Sequence, residues 1–69
     1  MKNTIKVERA KNDMTQSDLA KKIQVTRQTI HAIEQSKYVP STVLALRLAS
    51  VFKTTVDEIF TLEESDWKK

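Results

Sequence analysis

Three hydroxyl residues stand just ahead of stretches whose apolar side chains recur at three- and four-residue spacing, and that pattern leaves little choice of fold. Thr15 precedes Leu19, Ala20 and Ile23; Thr26 precedes Ile30 and Ile33; Ser41 precedes Leu44, Ala45, Leu48, Ala49 and Phe52. A hydroxyl in that place accepts a hydrogen bond from a backbone N–H that the first helical turn leaves without a partner. Apolar residues at i, i+3 and i+4 then share one face of the helix that follows. Asp18 stands three residues after Thr15, and Pro40 suits the entry to a helix while disfavouring helical geometry at Val39.

The same reasoning predicts a first helix over residues 4–12, with Ile5 as its clearest core residue, Arg9 one turn along the same face and Val7 at the edge. Thr55 with Glu58 three residues later resembles a capping pair, so Val56, Ile59 and Phe60 are expected on a last short helix. The expected class is all-α with five helices, a short strand at the N-terminus or tail being compatible with it. Residues 1–62 form the expected domain and residues 63–69 an acidic tail without periodicity.

Sixty-nine residues suffice for one domain with one modest core, too little for a two-lobed catalytic cleft. The chain has no cysteine and a single histidine, His31, so neither a disulfide framework nor a metal site is expected to supplement that core. The first residues lack the apolar run of a signal peptide, and the longest apolar stretch, Val43 to Leu46, is far too short to span a bilayer. A cytoplasmic protein with no membrane contact is the expectation.

The net charge of +3 is unevenly placed. Residues 1–53 hold ten basic and four acidic side chains, a balance of +6, and residues 54–69 hold two basic and five acidic, a balance of −3. The basic part is where a polyanion would bind.

Two short helices joined by about three residues, the second opening on polar side chains, have the geometry needed to read DNA. A recognition helix enters the major groove by its N-terminal turn, which must carry long donors and acceptors while its rear face carries aliphatics. Arg27, Gln28 and Thr29 meet the first need, Ile30 and Ile33 the second. The helix-turn-helix is thereby placed at residues 15–35.

The stretch Met14-Thr15-Gln16-Ser17-Asp18-Leu19-Ala20, then Val25-Thr26-Arg27-Gln28-Thr29-Ile30, then Ile33-Glu34, resembles the Cro and phage-repressor type of helix-turn-helix family. The likeness continues through Lys37-Tyr38-Val39-Pro40-Ser41, the Leu44-Ala45 and Leu48-Ala49 pairs, Phe52 and Glu58-Ile59-Phe60. It implies a lambda-repressor-like domain and a small stand-alone transcriptional regulator. It further implies that Arg27 and Gln28 reach base edges, a guanidinium suiting guanine and a carboxamide suiting adenine. Gln16 is implied to anchor a phosphate and brace the recognition helix. Thr26, Thr29, Gln35 and Lys37 fall where backbone contacts are expected, with Tyr38 adding a hydroxyl. His31, one turn into the recognition helix, is a secondary candidate beside the plain reading of an exposed histidine without a task. Arg9 and Glu34 are implied to pair between the first and third helices, a structural role.

The chain departs from the family at Asp13, Gln24, Ser36 and Lys53, where similar proteins usually place glycine. Left-handed backbone costs an ordinary residue about 1–2 kcal/mol, so these turns are either strained or otherwise shaped. Glu8 is a second departure, at a position commonly aliphatic; the expectation is that it reaches out to solvent and that Val7 compensates for it.

One short recognition helix is a small reader, whereas a two-fold dimer places two of them about 34 Å apart on successive major-groove turns. A homodimer is therefore expected, its seam drawn from Leu46, Val51, Phe60, Leu62 and Trp67, with a terminal strand as a further element there. The expected function is a repressor binding a palindromic operator on double-stranded DNA, with no cofactor, metal or small-molecule ligand. The alternative is a protein-interaction module such as an antitoxin or accessory subunit. No paired carboxylates, Ser/His/Asp set or glycine-rich phosphate loop supports an enzyme.

Overall fold

Ile5 opens the first helix, α1 (Ile5–Lys11), and is wholly buried, which anchors the chain's first turn on the core. A computed structural model describes residues 1–68. In it α1 is followed by α2 (Gln16–Ile23), α3 (Arg27–Glu34), α4 (Thr42–Val51) and α5 (Val56–Ile59). Thr4 and Asn12, expected inside α1, are instead its flanking residues. Val7 stays 54% exposed, so it does not fill in for Glu8. Glu8 is half-buried beside Lys11, with Oε2 3.4 Å from Nζ.

Thr15, Thr26 and Ser41 all cap as the sequence requires, accepting from the backbone N–H groups of Asp18, Thr29 and Leu44. Behind the caps, Leu19, Ile23, Ile30, Ile33, Leu48 and Ile59 close around Ile5 with essentially no exposed surface. Burying an aliphatic side chain of this size contributes about 1.5–3 kcal/mol, so these positions carry most of the core's driving force. No polar or charged residue is fully buried among the described residues.

The last part of the domain differs from the expectation. Thr55 makes no side-chain cap, and α5 ends after four residues. Phe60 lies outside it, in a strand β2 (Phe60–Thr61) that pairs antiparallel with β1 (Lys2–Asn3), Asn3 opposite Phe60. Thr4 N–H also donates to Ile59 O at 2.9 Å, so the N-terminal segment draws the chain out of helical geometry as soon as Ile59 is buried. The strand pair thus forms within one chain. A single 3-10 turn, Glu64–Trp67, follows, with the Glu63 and Asp66 carboxylates 3.0 and 3.2 Å from the Met1 amino nitrogen. Of the tail at residues 63–69, Lys69 lies outside the described residues.

All four departures from glycine adopt left-handed backbone: φ is 53° at Asp13, 62° at Gln24, 60° at Ser36 and 55° at Lys53. At Gln24 the Val25 N–H reaches back to Ala20 O at 3.0 Å, the bond that closes a left-handed helix end. Gln24, Val25 and Thr26 are then the whole connection between α2 and α3.

Candidate nucleic-acid interface

The reciprocal cap at the start of α2 uses both partners: Asp18 N–H donates to Thr15 Oγ1 at 3.0 Å and Thr15 N–H to Asp18 Oδ2 at 2.9 Å. The bond from the Thr15 backbone, followed by that from its hydroxyl, holds the Asp18 carboxyl below the ordinary aspartate range. An ionised carboxylate at a helix N-terminus also suits the helix dipole.

Three residues after the end of α2, Thr26 caps α3, accepting from Thr29 N–H at 3.2 Å, and its hydroxyl lies 3.0 Å from the Thr29 hydroxyl. With Ile30 and Ile33 turned into the core, Arg27, Gln28, His31 and Gln35 are left exposed on the outer side of the helix. Lys37 and Tyr38 follow in the exposed connection to α4. The ion pairs among the described residues do not involve Arg27 or Lys37, so neither charge is compensated within them.

A continuous polar chain ties this surface to the core. Arg9 Nε donates to Glu34 Oε2 at 2.6 Å and Arg9 Nη2 to Glu34 Oε1 at 3.2 Å, while Nη1 holds Met14 O at 3.0 Å. The two side chains are only 15% and 5% exposed. Gln16 Nε2 donates to Glu34 Oε1 at 3.1 Å and lies 3.4 Å from His31 Nδ1. Burial pushes the Glu34 carboxyl upward, but the hydrogen bonds from Arg9 and Gln16, with the positive charge of Arg9, outweigh it and leave the group below the ordinary glutamate range. Arg9 and Gln16 thus meet on one carboxylate, with His31 joined to it through Gln16, and the contacts tie α1, α2 and α3 together.

Three side chains that hold α2 and α3 in place carry no signal in the local sequence pattern. Asn3 Nδ2 donates to Ile33 O at 2.9 Å, while its Oδ1 accepts from Ile5 N–H at 3.2 Å. Arg47 Nη1 donates to Ile23 O at 3.3 Å and so satisfies the end of α2. Ser36 Oγ donates to Met1 O at 2.9 Å, tying the end of α3 to the N-terminal segment.

Away from α3, the residues expected at a dimer seam divide. Leu46, Leu62 and Trp67 are exposed, Trp67 at 77%, whereas Val51 packs partly against the core and Phe60 is buried within it. Phe60 is a core residue because β2 turns its ring inward opposite Asn3. Its ring also lines an apolar groove of about 430 Å³, shared with Val39, Pro40, Ala45, Leu46 and Val56. Among the described residues there is no group of three or more His, Asp or Glu side chains placed to hold a metal ion, and no helix is long and apolar enough to cross a membrane.

Two capped helices meeting across a three-residue turn that opens on the left-handed Gln24, with a polar outer face on the second, define a helix-turn-helix protein. A sequence profile described as helix-turn-helix matches residues 5–59, and the chain belongs to that family, a class of DNA-binding transcription regulators and not of enzymes. It is 48% identical over 66 residues to an HTH-type transcriptional regulator of Methanocaldococcus jannaschii, covering 96% of this chain and 100% of that one. It is 44% identical over 70 residues to one of Archaeoglobus fulgidus, covering 100% and 99%, and 42% identical over 66 residues to one of Bacillus subtilis, covering 96% and 100%.

Proposed function

We propose that the chain is a sequence-specific repressor that binds a palindromic operator on double-stranded DNA as a homodimer, in the cytoplasm. The observation that carries this reading is the division of α3: Ile30 and Ile33 are buried to 1% exposure or less, while Arg27 and Gln28 extend from its exposed first turn. Arg27 and Gln28 read base edges, each well-placed bidentate contact discriminating by about 1–3 kcal/mol. Thr26, Thr29, Gln35, Lys37, Tyr38 and the α2 terminus at Gln16 set the register on the phosphates. The residue-1–62 domain is the DNA-binding unit, and repression follows from occupying a site that overlaps a promoter.

The largely apolar groove beside Leu46 and the exposed Leu62 and Trp67 support the homodimer, because a two-fold contact needs a self-complementary patch and exposed apolar surface favours its burial. Selection of bound fragments from random DNA, followed by footprinting, tests the whole reading. The expected result is two half-sites one helical turn apart, an affinity that falls steeply with salt, and a further loss in Gln28→Ala. Binding to a protein partner without DNA affinity would replace the reading with that of an interaction module.

A further inference from the structure

The polar chain behind the recognition helix has a direction, and that direction reaches the surface at His31. Glu34 is ionised and gripped through both oxygens by Arg9, so it can only accept hydrogen bonds. The Gln16 carboxamide beside it must therefore present its NH₂ end to Glu34 Oε1; the opposite orientation would set two acceptors against each other. That same NH₂ group faces His31 Nδ1 at 3.4 Å. Nδ1 must then accept, and the proton of the neutral ring sits on Nε2.

We propose that His31 presents Nε2–H to DNA as a fixed hydrogen-bond donor, its tautomer and ring orientation set by Gln16. The inference rests on the DNA-binding reading above. His31 is exposed and lies four residues after Arg27 and three after Gln28, so the three side chains share one face of α3. It sits about 6 Å further along the helix axis than Arg27, within reach of the next acceptor on the duplex. The acceptor is a purine N7 or a backbone phosphate oxygen. Both N–H bonds of the Gln16 amide are engaged by Glu34 and His31, so the side-chain donor this cluster offers to DNA is the imidazole; the Gln16 side chain is a positioning group, and Gln16 meets phosphate through its backbone N–H at the α2 terminus.

Having a single histidine, the chain gives one set of imidazole nitrogen resonances, so the tautomer is read directly by NMR on the full chain. The wild type is expected as the Nε2–H form, with the Nδ1–H form rising in Gln16→Ala; a wild-type ring protonated on Nδ1 overturns the proposal whether or not DNA is bound. On the selected operator, His31→Ala is expected to weaken binding about threefold to tenfold, the range of one neutral hydrogen bond, with an unchanged melting temperature. His31→Gln, which keeps a donor, restores part of the loss. Gln16→Ala loses a similar factor in the wild type and nothing further in His31→Ala, whereas a brace alone would lose the same factor in both. A single 7-deazapurine or methylphosphonate substitution that erases the His31 dependence identifies the acceptor as base or phosphate. Binding by His31→Ala within twofold of wild type, additive losses, or no erasure by either substitution refutes the proposal while leaving DNA binding intact; failure of the wild type to bind any DNA refutes the underlying reading.

Discussion

Gln24→Gly should raise the stability of the domain, and the size of the gain can be worked from the backbone. Gln24 has φ 62° and ψ 47°, the centre of the left-handed region, where Cβ crowds the following carbonyl oxygen. That crowding costs an ordinary residue about 1–2 kcal/mol and glycine nothing, but glycine's freer unfolded chain returns about 0.4–1 kcal/mol of it. A net gain of about 0.5–1 kcal/mol is left. In a domain of this size it raises the melting temperature by about 2–8 °C. Lys53, exposed at φ 55°, should behave alike. Asp13→Gly should gain less, because aspartate tolerates this conformation, and Ser36→Gly less again, because it forfeits the hydroxyl bond to Met1 O. Gln24→Ala is the control: it removes the side chain but keeps Cβ, and should give no gain. Thermal unfolding followed by circular dichroism measures all five variants. Unchanged or lowered melting in both Gln24→Gly and Lys53→Gly, or equal gains from glycine and alanine at residue 24, would refute the strain argument.

Arg9→Ala strands a carboxylate that is 5% exposed and releases Met14 O, so a loss of about 3–5 kcal/mol in urea unfolding is expected; an unchanged midpoint would show that the pair is not needed. Because the folded Glu34 carboxyl lies below its ordinary value, its contribution to stability is complete above the ordinary glutamate range and is lost as pH falls through the depressed value. Stability measured from neutral pH downward should accordingly decline less steeply in Glu34→Gln than in the wild type, and parallel curves would contradict the assignment. Leu46→Glu places a charge on the rim of the apolar groove at a residue already 56% exposed, so light scattering should show a shift from dimer to a folded monomer of 8.0 kDa. A wild type that is itself monomeric at micromolar concentration would remove the homodimer.

The three capped helices were readable from the chain because each cap and its apolar stripe lie within about a dozen residues of each other. Thr15 with Asp18, Thr26 with Thr29, and Ser41 with Leu44 form bonds between residues three apart, and such bonds depend on little beyond their own segment. The left-handed turns were legible only through the likeness to a family that uses glycine there, since nothing in Gln24 or Lys53 favours that geometry. The Thr55–Glu58 pattern marked where α5 starts, though without the side-chain cap, but not where it ends. The helical signal at Phe60 was overridden when Asn3 and Thr4 engaged Phe60 and Ile59 from the far end of the chain.

The candidate interface divides along the same line. Local spacing of Arg27 and Gln28 against Ile30 and Ile33 already assigns one polar and one apolar side to α3, because helical periodicity alone decides which residues share a face. The Arg9–Glu34–Gln16–His31 chain joins residues up to 25 apart, and the Asn3 and Arg47 bonds to Ile33 and Ile23 span 30 and 24. Those contacts exist only once the core has closed, since it is burial that brings the carboxylate, the guanidinium and the carboxamide within hydrogen-bond distance.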